Sequence, residues 1–393
     1  MDELILFHES EKIYRDLQGA AAQNAPFEGA ARLLSFAAKH GLSGNLWQRY
    51  FAYCLGMDEN PYSLAAERKG KVTGTLRDLA LKEAGLLREL YFYFPCEDYL
   101  SDFTGPGEEK LCGEKIRLLS DALSKTGNAE EFLLVLDRFY ETWGCGSFAF
   151  HRAFGIKEQE EGVRLAPIEG MDAISLSDLV GYEKAKKKLT DNTESFLAGQ
   201  RANNCMLYGD AGTGKSSSIK AIANQYYPKG LRLIELYKHE IRLLPRVIEK
   251  VRDRNYRFIV YMDDLSFEEF ETDYKYLKAA IEGGLRGKPE NLLIYATSNR
   301  RHLIRESFSD RDGSDLHRNE TVQEKQSLSA RFGVSIYFGS PEKKEYHEIV
   351  RRLSERAGIN LPEKELFAQA DQWEIMHGGR SGRTAQQFIN HLL

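Results

Sequence analysis

The stretch Gly209-Asp210-Ala211-Gly212-Thr213-Gly214-Lys215-Ser216 fits the pattern GxxxxGK[ST] at every position. A short apolar run precedes it at 205–208, and a helix-forming segment that begins at Ser217 follows. Glycines in such a loop let successive backbone N–H groups point at phosphate oxygens, and the helix N-terminus adds a positive dipole end. The lysine then reaches the β- and γ-phosphates, and the serine hydroxyl binds Mg²⁺. We therefore predict a nucleotide-phosphate loop formed by Gly209 to Ser217.

The region around this loop alternates short apolar runs with longer amphipathic segments. The runs cover residues 205–208, 231–236, 258–262, 292–296 and 334–338. Buried strands that alternate with helices favour a parallel sheet flanked by helices, because parallel strands need long crossover connections. We therefore predict an α/β fold with a five-stranded parallel sheet.

Changes in pattern divide the chain into four parts. Residues 1–156 carry apolar residues at helical spacing, such as Leu86, Leu87 and Leu90, which predicts an all-α interaction or regulatory domain. Residues 157–175 are polar and acidic without a clear period, which favours a linker. Residues 176–339 form the α/β core, and Ser340-Pro341 begins a C-terminal helical lid, 340–393.

The composition excludes several classes of protein. With 42% hydrophobic and 29% charged residues in 393, the chain has enough apolar residues for two or three domains, which excludes wholesale disorder. Lys and Arg total 54 against 59 Asp and Glu, which excludes a strongly basic nucleic-acid binder. No apolar run approaches the roughly 20 residues of a membrane span. The acidic start MDELILFHES is unlike a secretory signal, and the five cysteines include no CxxC pair, so we expect a cytoplasmic protein.

Two aspartates follow the third predicted strand. Asp263 comes directly after the run 258–262, where a strand would emerge beside the phosphate loop. A carboxylate at this position can hold Mg²⁺ together with Ser216. Asp264 is then placed to orient the attacking water as a general base. Aspartate is one methylene shorter than the glutamate that many related ATPases have at this position, so either the water must lie closer to the carboxylate or hydrolysis is slow.

These motifs together resemble the AAA+ ATPases, and more closely the bacterial DUF815 family. The resemblance to DUF815 covers about residues 170–393 and is carried by YGDAGTGKSS, MDDLSFEE, IYATSNRRHLI, SLSARFG and GGRSGRTAQQF. The double aspartate is also similar to that of the DnaA-like and IstB-like helicase loaders.

The resemblance implies roles for residues outside the phosphate loop. Val180 and Gly181 would belong to a turn that contacts adenine, and Asn299 would be the sensor 1 residue that positions the attacking water. Arg331 would be an arginine finger that acts on ATP held by a neighbouring subunit. Ala330 departs from the family pattern, which has an acidic residue before this arginine.

The resemblance also implies how the protein works. The lid would supply Arg383 as the sensor 2 arginine, with Arg380 as the alternative. An arginine that acts in trans implies self-association into a ring, or into a filament if the ring does not close. The implied function is a Mg²⁺-dependent ATPase that drives conformational change in an unknown protein or nucleic-acid target. The alternative is a nucleotide-gated scaffold that binds ATP or ADP with negligible turnover.

One basic segment is relevant to the question of whether the target is a nucleic acid. Residues 238–257 contain seven Lys or Arg against three acids. Arg242, Arg246 and Lys250 recur every four residues, so on a helix they would share one face. Such a face suits either the phosphates of DNA or solvent, and the sequence leaves both interpretations open.

Overall fold

The computed structural model describes residues 4–8, 26–93, 98–105, 111–160, 162–268, 273–282, 287, 289–301, 303 and 328–393. The chain divides into two compact units, Met1–His151 and Arg152–Leu393. Within the described ranges, no helix is long and apolar enough to cross a membrane. The cysteines in these ranges are buried and form no disulfide with one another, namely Cys54, Cys112, Cys145 and Cys205.

The first unit is helical over its described residues, as the apolar spacing predicts. Its helices are α1 (Pro26–His40), α2 (Leu46–Met57), α3 (Pro61–Lys69), α4 (Thr75–Phe92), α5 (Asp98–Ser101), α6 (Leu111–Leu123), α7 (Ala129–Trp143) and α8 (Ser147–Phe150). The side chains of Asn45, Asn60 and Asn128 accept backbone hydrogen bonds at the starts of α2, α3 and α7. Such caps satisfy N–H groups that have no partner inside a helix, so they fix where these helices begin.

Glu83 and Lys115 are two of the charged side chains that are buried in the first unit. Glu83 is 4% exposed, and its carboxylate accepts hydrogen bonds of 2.9–3.2 Å from the backbone N–H groups of residues 5–7. Lys115 is 3% exposed, donates to the carbonyl oxygen of Ala149 at 2.6 Å, and lies 4.1 Å from the centre of the Trp143 ring. These two charges are therefore matched by backbone polar groups and, for Lys115, also by an aromatic face.

The second unit is built on a sheet that contains all five predicted strands. Its described strands are β1 (Ala153–Gln159), β2 (Gly162–Pro167), β3 (Cys205–Gly209), β4 (Leu231–Glu235), β5 (Arg257–Met262), β6 (Leu292–Ser298) and β7 (Val334–Phe338). Their order across the sheet is β2-β1-β4-β5-β6-β3-β7. The β1–β2 pair is antiparallel, whereas the other neighbouring pairs are parallel. The α/β prediction is confirmed, and the described strands number seven instead of five.

The two additional strands correct the expected domain limits. Strands β1 and β2 form a hairpin, and β1 joins the sheet because the Leu233 N–H donates to the carbonyl oxygen of Arg152 at 2.9 Å. The first half of the expected linker 157–175 is thus sheet, and the helical unit ends at His151, not at residue 156. Exposed polar residues at the far end of β1, such as Lys157 and Glu158, hide the strand pattern in the sequence.

Helices pack against the sheet and form the lid. The helices between the strands are α9 (Glu183–Leu197), α10 (Lys215–Tyr226), α11 (Leu244–Val251) and α12 (Tyr274–Glu282). The lid helices are α13 (Lys343–Ala357), α14 (Glu363–Met376) and α15 (Gly382–Leu392). The lid has its own apolar cluster, which includes Tyr346, Leu366 and Phe388. The expected C-terminal helical lid is therefore present.

Candidate nucleotide-binding site

The phosphate loop connects β3 to α10 through backbone conformations that need glycine. Gly209 has a φ of +134°, and a Cβ there would lie 2.0 Å from the carbonyl oxygen of Phe338 in β7. Gly214 has a φ of +91° and directly precedes α10. A side chain at either position would strain the backbone or collide with β7. The glycines therefore allow the sharp loop that brings the N-terminus of α10 to the wall of a cleft.

Lys215 begins α10 and is 6% exposed. Its ammonium group donates to three acceptors, the carbonyl oxygens of Gly209 (2.8 Å) and Asp210 (2.6 Å) and Oδ1 of Asn299 (3.0 Å). Burial lowers the pKa of Lys215, and the carboxylate of Asp210 acts against that shift. The lysine charge is thus held at the phosphate loop and in contact with the predicted sensor 1 residue.

Ser216 and Asp263 are in contact at the carboxyl end of β5. The Ser216 hydroxyl donates to Oδ1 of Asp263 at 2.7 Å, and the Thr297 hydroxyl donates to the same oxygen at 2.5 Å. Burial acts to raise the pKa of Asp263, but the hydrogen bonds from Thr297 and Ser216 outweigh burial and hold this pKa below its usual range. An ionised carboxylate beside a serine hydroxyl offers the oxygen ligands that Mg²⁺ prefers.

Asp264 is linked to Asn299. The backbone φ of Asp264 is +47°, in the left-handed region, and its N–H donates to Oγ1 of Thr297 at 2.9 Å. Oδ1 of Asp264 accepts a hydrogen bond of 2.8 Å from Nδ2 of Asn299. Since Asn299 also accepts from Lys215, the predicted base and sensor form one hydrogen-bonded chain with the phosphate-loop lysine.

Thr297 is a site residue that our sequence analysis missed. It donates to the carboxylate of Asp263 and accepts from the backbone of Asp264, so it fixes both aspartates. It lies near the end of the buried strand β6, and its own exposure is 1%. The available signal was a hydroxyl residue two positions before Asn299, but threonine is also common within strands.

The loop and the aspartates line a cleft with a volume of about 860 Å³. Ile349 and Leu353 of α13 and Arg383 of α15 also line it, so the lid contributes to the cleft. The backbone N–H of Arg383 donates to the carbonyl oxygen of Gly212 at 3.3 Å. Arg380 does not line the cleft, and its Nε lies 3.2 Å from Oε2 of Glu374. The geometry therefore favours Arg383 as the lid arginine.

The predicted adenine turn also reaches the cleft. Val180 lines it, whereas Gly181 does not. In the preceding turn (Leu176–Asp178), Asp178 accepts from Nη2 of Arg356 in α13 at 2.7 Å, and both of these residues line the cleft. This ion pair connects the α/β core to the lid.

Arg331 lies outside this cleft. It occupies the turn before β7 and is not among the residues that line the cleft. Its Nε donates to Oε1 of Glu282, the last residue of α12, at 2.6 Å. The position of Arg331 is thus compatible with action on another subunit's nucleotide, as the resemblance implies.

The basic segment 238–257 makes ion pairs within its own chain. A 3₁₀ turn (Lys238–Leu243) precedes α11, so only part of the segment is α-helical. The guanidinium groups of Arg242 and Arg246 lie 3.4 and 4.0 Å from the carboxylate of Glu158 in β1. These pairs give the basic face a structural partner, and we assign no DNA-binding role to it.

Comparison with known proteins adds a family relationship. The family model DUF815, described as a protein of unknown function, matches residues 149–393. The replication factor C large subunits of Staphylothermus marinus and Methanococcus vannielii are 37% identical over 68 residues and 40% identical over 52 residues. These segments cover 17% and 13% of this chain, and 15% and 11% of those proteins. The chain therefore matches a small part of each curated relative.

Solved structures are also similar over part of the chain. The Thermotoga maritima RuvB Holliday junction branch migration motor matches with 16% identity and a TM-score of 0.39, over 55% of this chain and 63% of its own. The AAA domain of FIGL-1 in complex with ADP matches with 17% identity and a TM-score of 0.38, over 56% of this chain and 72% of its own.

Proposed function

The chain belongs to the DUF815 family, and from this premise and the geometry of the cleft we propose that it is an AAA+ ATPase that hydrolyses ATP to ADP and phosphate. One observation carries the proposal. Lys215, Ser216, Asp263, Asp264 and Asn299 form a continuous hydrogen-bonded cluster in the wall of the cleft. A lysine, a metal-binding pair and a base within one cluster are the groups that phosphoryl transfer to water requires.

The phosphate end of the site has two parts. Lys215 and the backbone N–H groups of the loop would bind the β- and γ-phosphates of ATP. Ser216 and Asp263 would hold Mg²⁺, which, when bound, neutralises charge on the same phosphates. The low pKa of Asp263 supports this assignment, because a metal ligand must be ionised.

Asp264 and Asn299 would act in the hydrolytic step. As the water oxygen bonds to the γ-phosphorus and the bond to ADP breaks, Asp264 accepts the water proton. The amide of Asn299, hydrogen-bonded to Oδ1 of Asp264, orients that carboxylate. The aspartate side chain is short, so we expect a low turnover number.

Completion of the site requires a second copy of the chain. Arg383 lines the cleft from the lid, whereas Arg331 does not line it, so a neighbouring subunit would supply Arg331. An arginine that stabilises the transition-state charge is worth about 10³–10⁵ in rate. Head-to-tail contacts of this kind produce a ring or a filament. The replication factor C large subunit, which this chain matches over a short segment, carries a name that refers to replication, and we propose a protein or nucleic-acid target on that basis.

A second candidate function rests on Asp264. Its Oδ1 already accepts a hydrogen bond from Asn299, and its side chain is one methylene shorter than that of glutamate. A base held in this way favours a nucleotide-gated scaffold, which would bind ATP or ADP with negligible turnover and display its helical N-terminal unit to a partner.

The ATPase rate per subunit, measured against protein concentration with Mg²⁺ present, tests the proposal. A rate that rises with concentration is expected, because assembly brings Arg331 to the neighbouring site. Asp264→Asn should retain ATP binding and lower the rate by about 10²–10⁴. Asp191→Asn, which removes an exposed ion pair with Lys187 on α9, is the matched control. A rate near zero at every concentration, with ATP still bound, would favour the scaffold.

A further inference from the structure

The turn that carries Arg331 is anchored on both sides. Leu328 is 1% exposed and Phe332 is 3% exposed, and β7 begins directly after this turn. The Ser329 hydroxyl oxygen accepts a hydrogen bond from the Leu303 N–H at 3.3 Å. Packing therefore fixes the backbone of Arg331, but it does not by itself fix a side chain as long as arginine.

Glu282 lies on an equally fixed element. It is the last residue of α12, and in the same helix Leu277 is fully buried and Ile281 is 9% exposed. Oε1 of Glu282 lies 2.6 Å from Nε of Arg331, and the two side chains are 49% and 25% exposed. The contact thus links the end of α12 to the turn before β7. It does so through the side chain of Arg331, which would have to reach a second copy of the chain.

We infer that Glu282 is a positioning residue, which holds the guanidinium group of Arg331 in the orientation that the neighbouring subunit's ATP requires. The inference rests on the proposed function, because it assumes the shared site. An arginine has five N–H donors, and the contact with Glu282 takes the one on Nε.

The advantage of this contact is entropic. A free arginine side chain populates many rotamers, and the site must select one of them at each turnover. Glu282 makes this selection before assembly, within its own subunit. The loss of that preorganisation should lower turnover by a factor of about 5–30, the effect of ordering one long side chain.

Mixed assemblies isolate this role. A Lys215→Ala chain donates Arg331 but holds no ATP, whereas an Arg331→Ala chain holds ATP but lacks the arginine, so their mixture should recover ATPase activity. Glu282→Ala is then added to one of the two chains. On the chain that donates Arg331 it should lower the recovered rate about 5- to 30-fold. Glu282→Gln keeps an acceptor oxygen and should fall between this variant and the parent. Glu290→Gln, which removes another exposed carboxylate of the same unit, is the matched control.

The possible results distinguish a failure of this inference from a failure of the proposed function. An equal loss when Glu282→Ala is on the ATP-holding chain would indicate a general structural role and overturn the inference. So would an unchanged rate, or a higher one, which would mean that Glu282 restrains the arginine. Either result leaves the shared site standing, because the parent mixture is active. An inactive parent mixture would remove the shared site and this inference together. ATP binding by Glu282→Ala and Glu282→Gln in the otherwise natural chain, measured separately, verifies that these substitutions leave the second unit folded.

Discussion

The two units of this protein bury charged side chains in different ways. In the first unit, Glu83 and Lys115 are enclosed in the helical core and bind backbone groups of their own unit. In the second unit, Lys215 is almost as well buried, but it lies in the wall of an open cleft beside Asp263 and Asp264. The first arrangement stabilises a fold, and the second leaves its charges where a ligand can reach them.

The difference shows that burial alone does not identify a functional charge. Both arrangements satisfy the requirement that a buried charge has a partner. Only the arrangement around Lys215 places a cation and carboxylates together in the wall of a cleft that small molecules can enter. The following three experiments test this distinction, from the largest expected effect to the smallest.

Lys215→Ala should abolish ATP binding. Loss of the ammonium group removes the main cation at the phosphate loop, so ATP should no longer stabilise the second unit. At an ATP concentration 1,000 times the Kd, the stabilisation lost is about 4.1 kcal/mol. Thermal unfolding with and without ATP measures it, and Lys187→Ala, an exposed lysine on α9, is the control. Persistent ATP affinity in Lys215→Ala would contradict the assignment of the phosphate loop.

Glu83→Ala should destabilise the first unit and leave nucleotide binding intact. The backbone N–H groups of residues 5–7 would lose their acceptor, which we expect to lower the free energy of unfolding by about 3 kcal/mol. Denaturant unfolding of the full chain measures the loss. Glu89→Ala, an exposed position on α4, should have little effect, and Glu83→Gln should be intermediate. A loss of ATP binding in Glu83→Ala would break the distinction between the two units.

Acid should weaken the second unit through Asp263. The hydrogen bonds to this carboxylate lower its pKa in the folded state. The stability they contribute is therefore complete above the ordinary aspartate pKa and is lost as the pH falls through the lower, folded-state value. Unfolding measured from neutral pH to below pH ~4 should show a steeper acid loss for the natural chain than for Asp263→Asn. Asp264→Asn keeps the carboxylate that binds Ser216 and Thr297, so it should retain the steep acid loss.

The sequence predicted the elements whose physical pattern is strong. Each of the five apolar runs became a strand. Strands β3 to β6 are buried on both faces, which requires consecutive apolar residues, whereas β7 is exposed at alternate positions. The contact of Ser216 with Asp263 also follows from the motifs, because Asp263 follows the carboxyl end of β5 and the loop that leads to Ser216 follows the carboxyl end of β3 in the same sheet.

Other features depend on contacts that a single sequence does not display. Strand β1 is fully buried only where it meets β4, and its outer end is exposed, so the hairpin lacks a recognisable period. In the sequence, Thr297 cannot be distinguished from an ordinary strand residue. Its role depends on the fold, which places its hydroxyl beside the carboxylate of Asp263. The pairing of Glu282 with Arg331 joins positions 49 residues apart, and neither residue shows in the sequence that the other is near.

The ion pair between Asp178 and Arg356 has a consequence for timing. Its side chains are 30% and 52% exposed, and pairs this accessible contribute at most about 1 kcal/mol. The pair can therefore shift the balance between closed and open lid about fivefold at most. The ion pair would therefore lengthen the time for which a nucleotide stays bound only modestly. A product that stays bound for much longer would have to be retained by other contacts in the cleft, from the phosphate loop or from lid residues such as Arg383, and not by this ion pair.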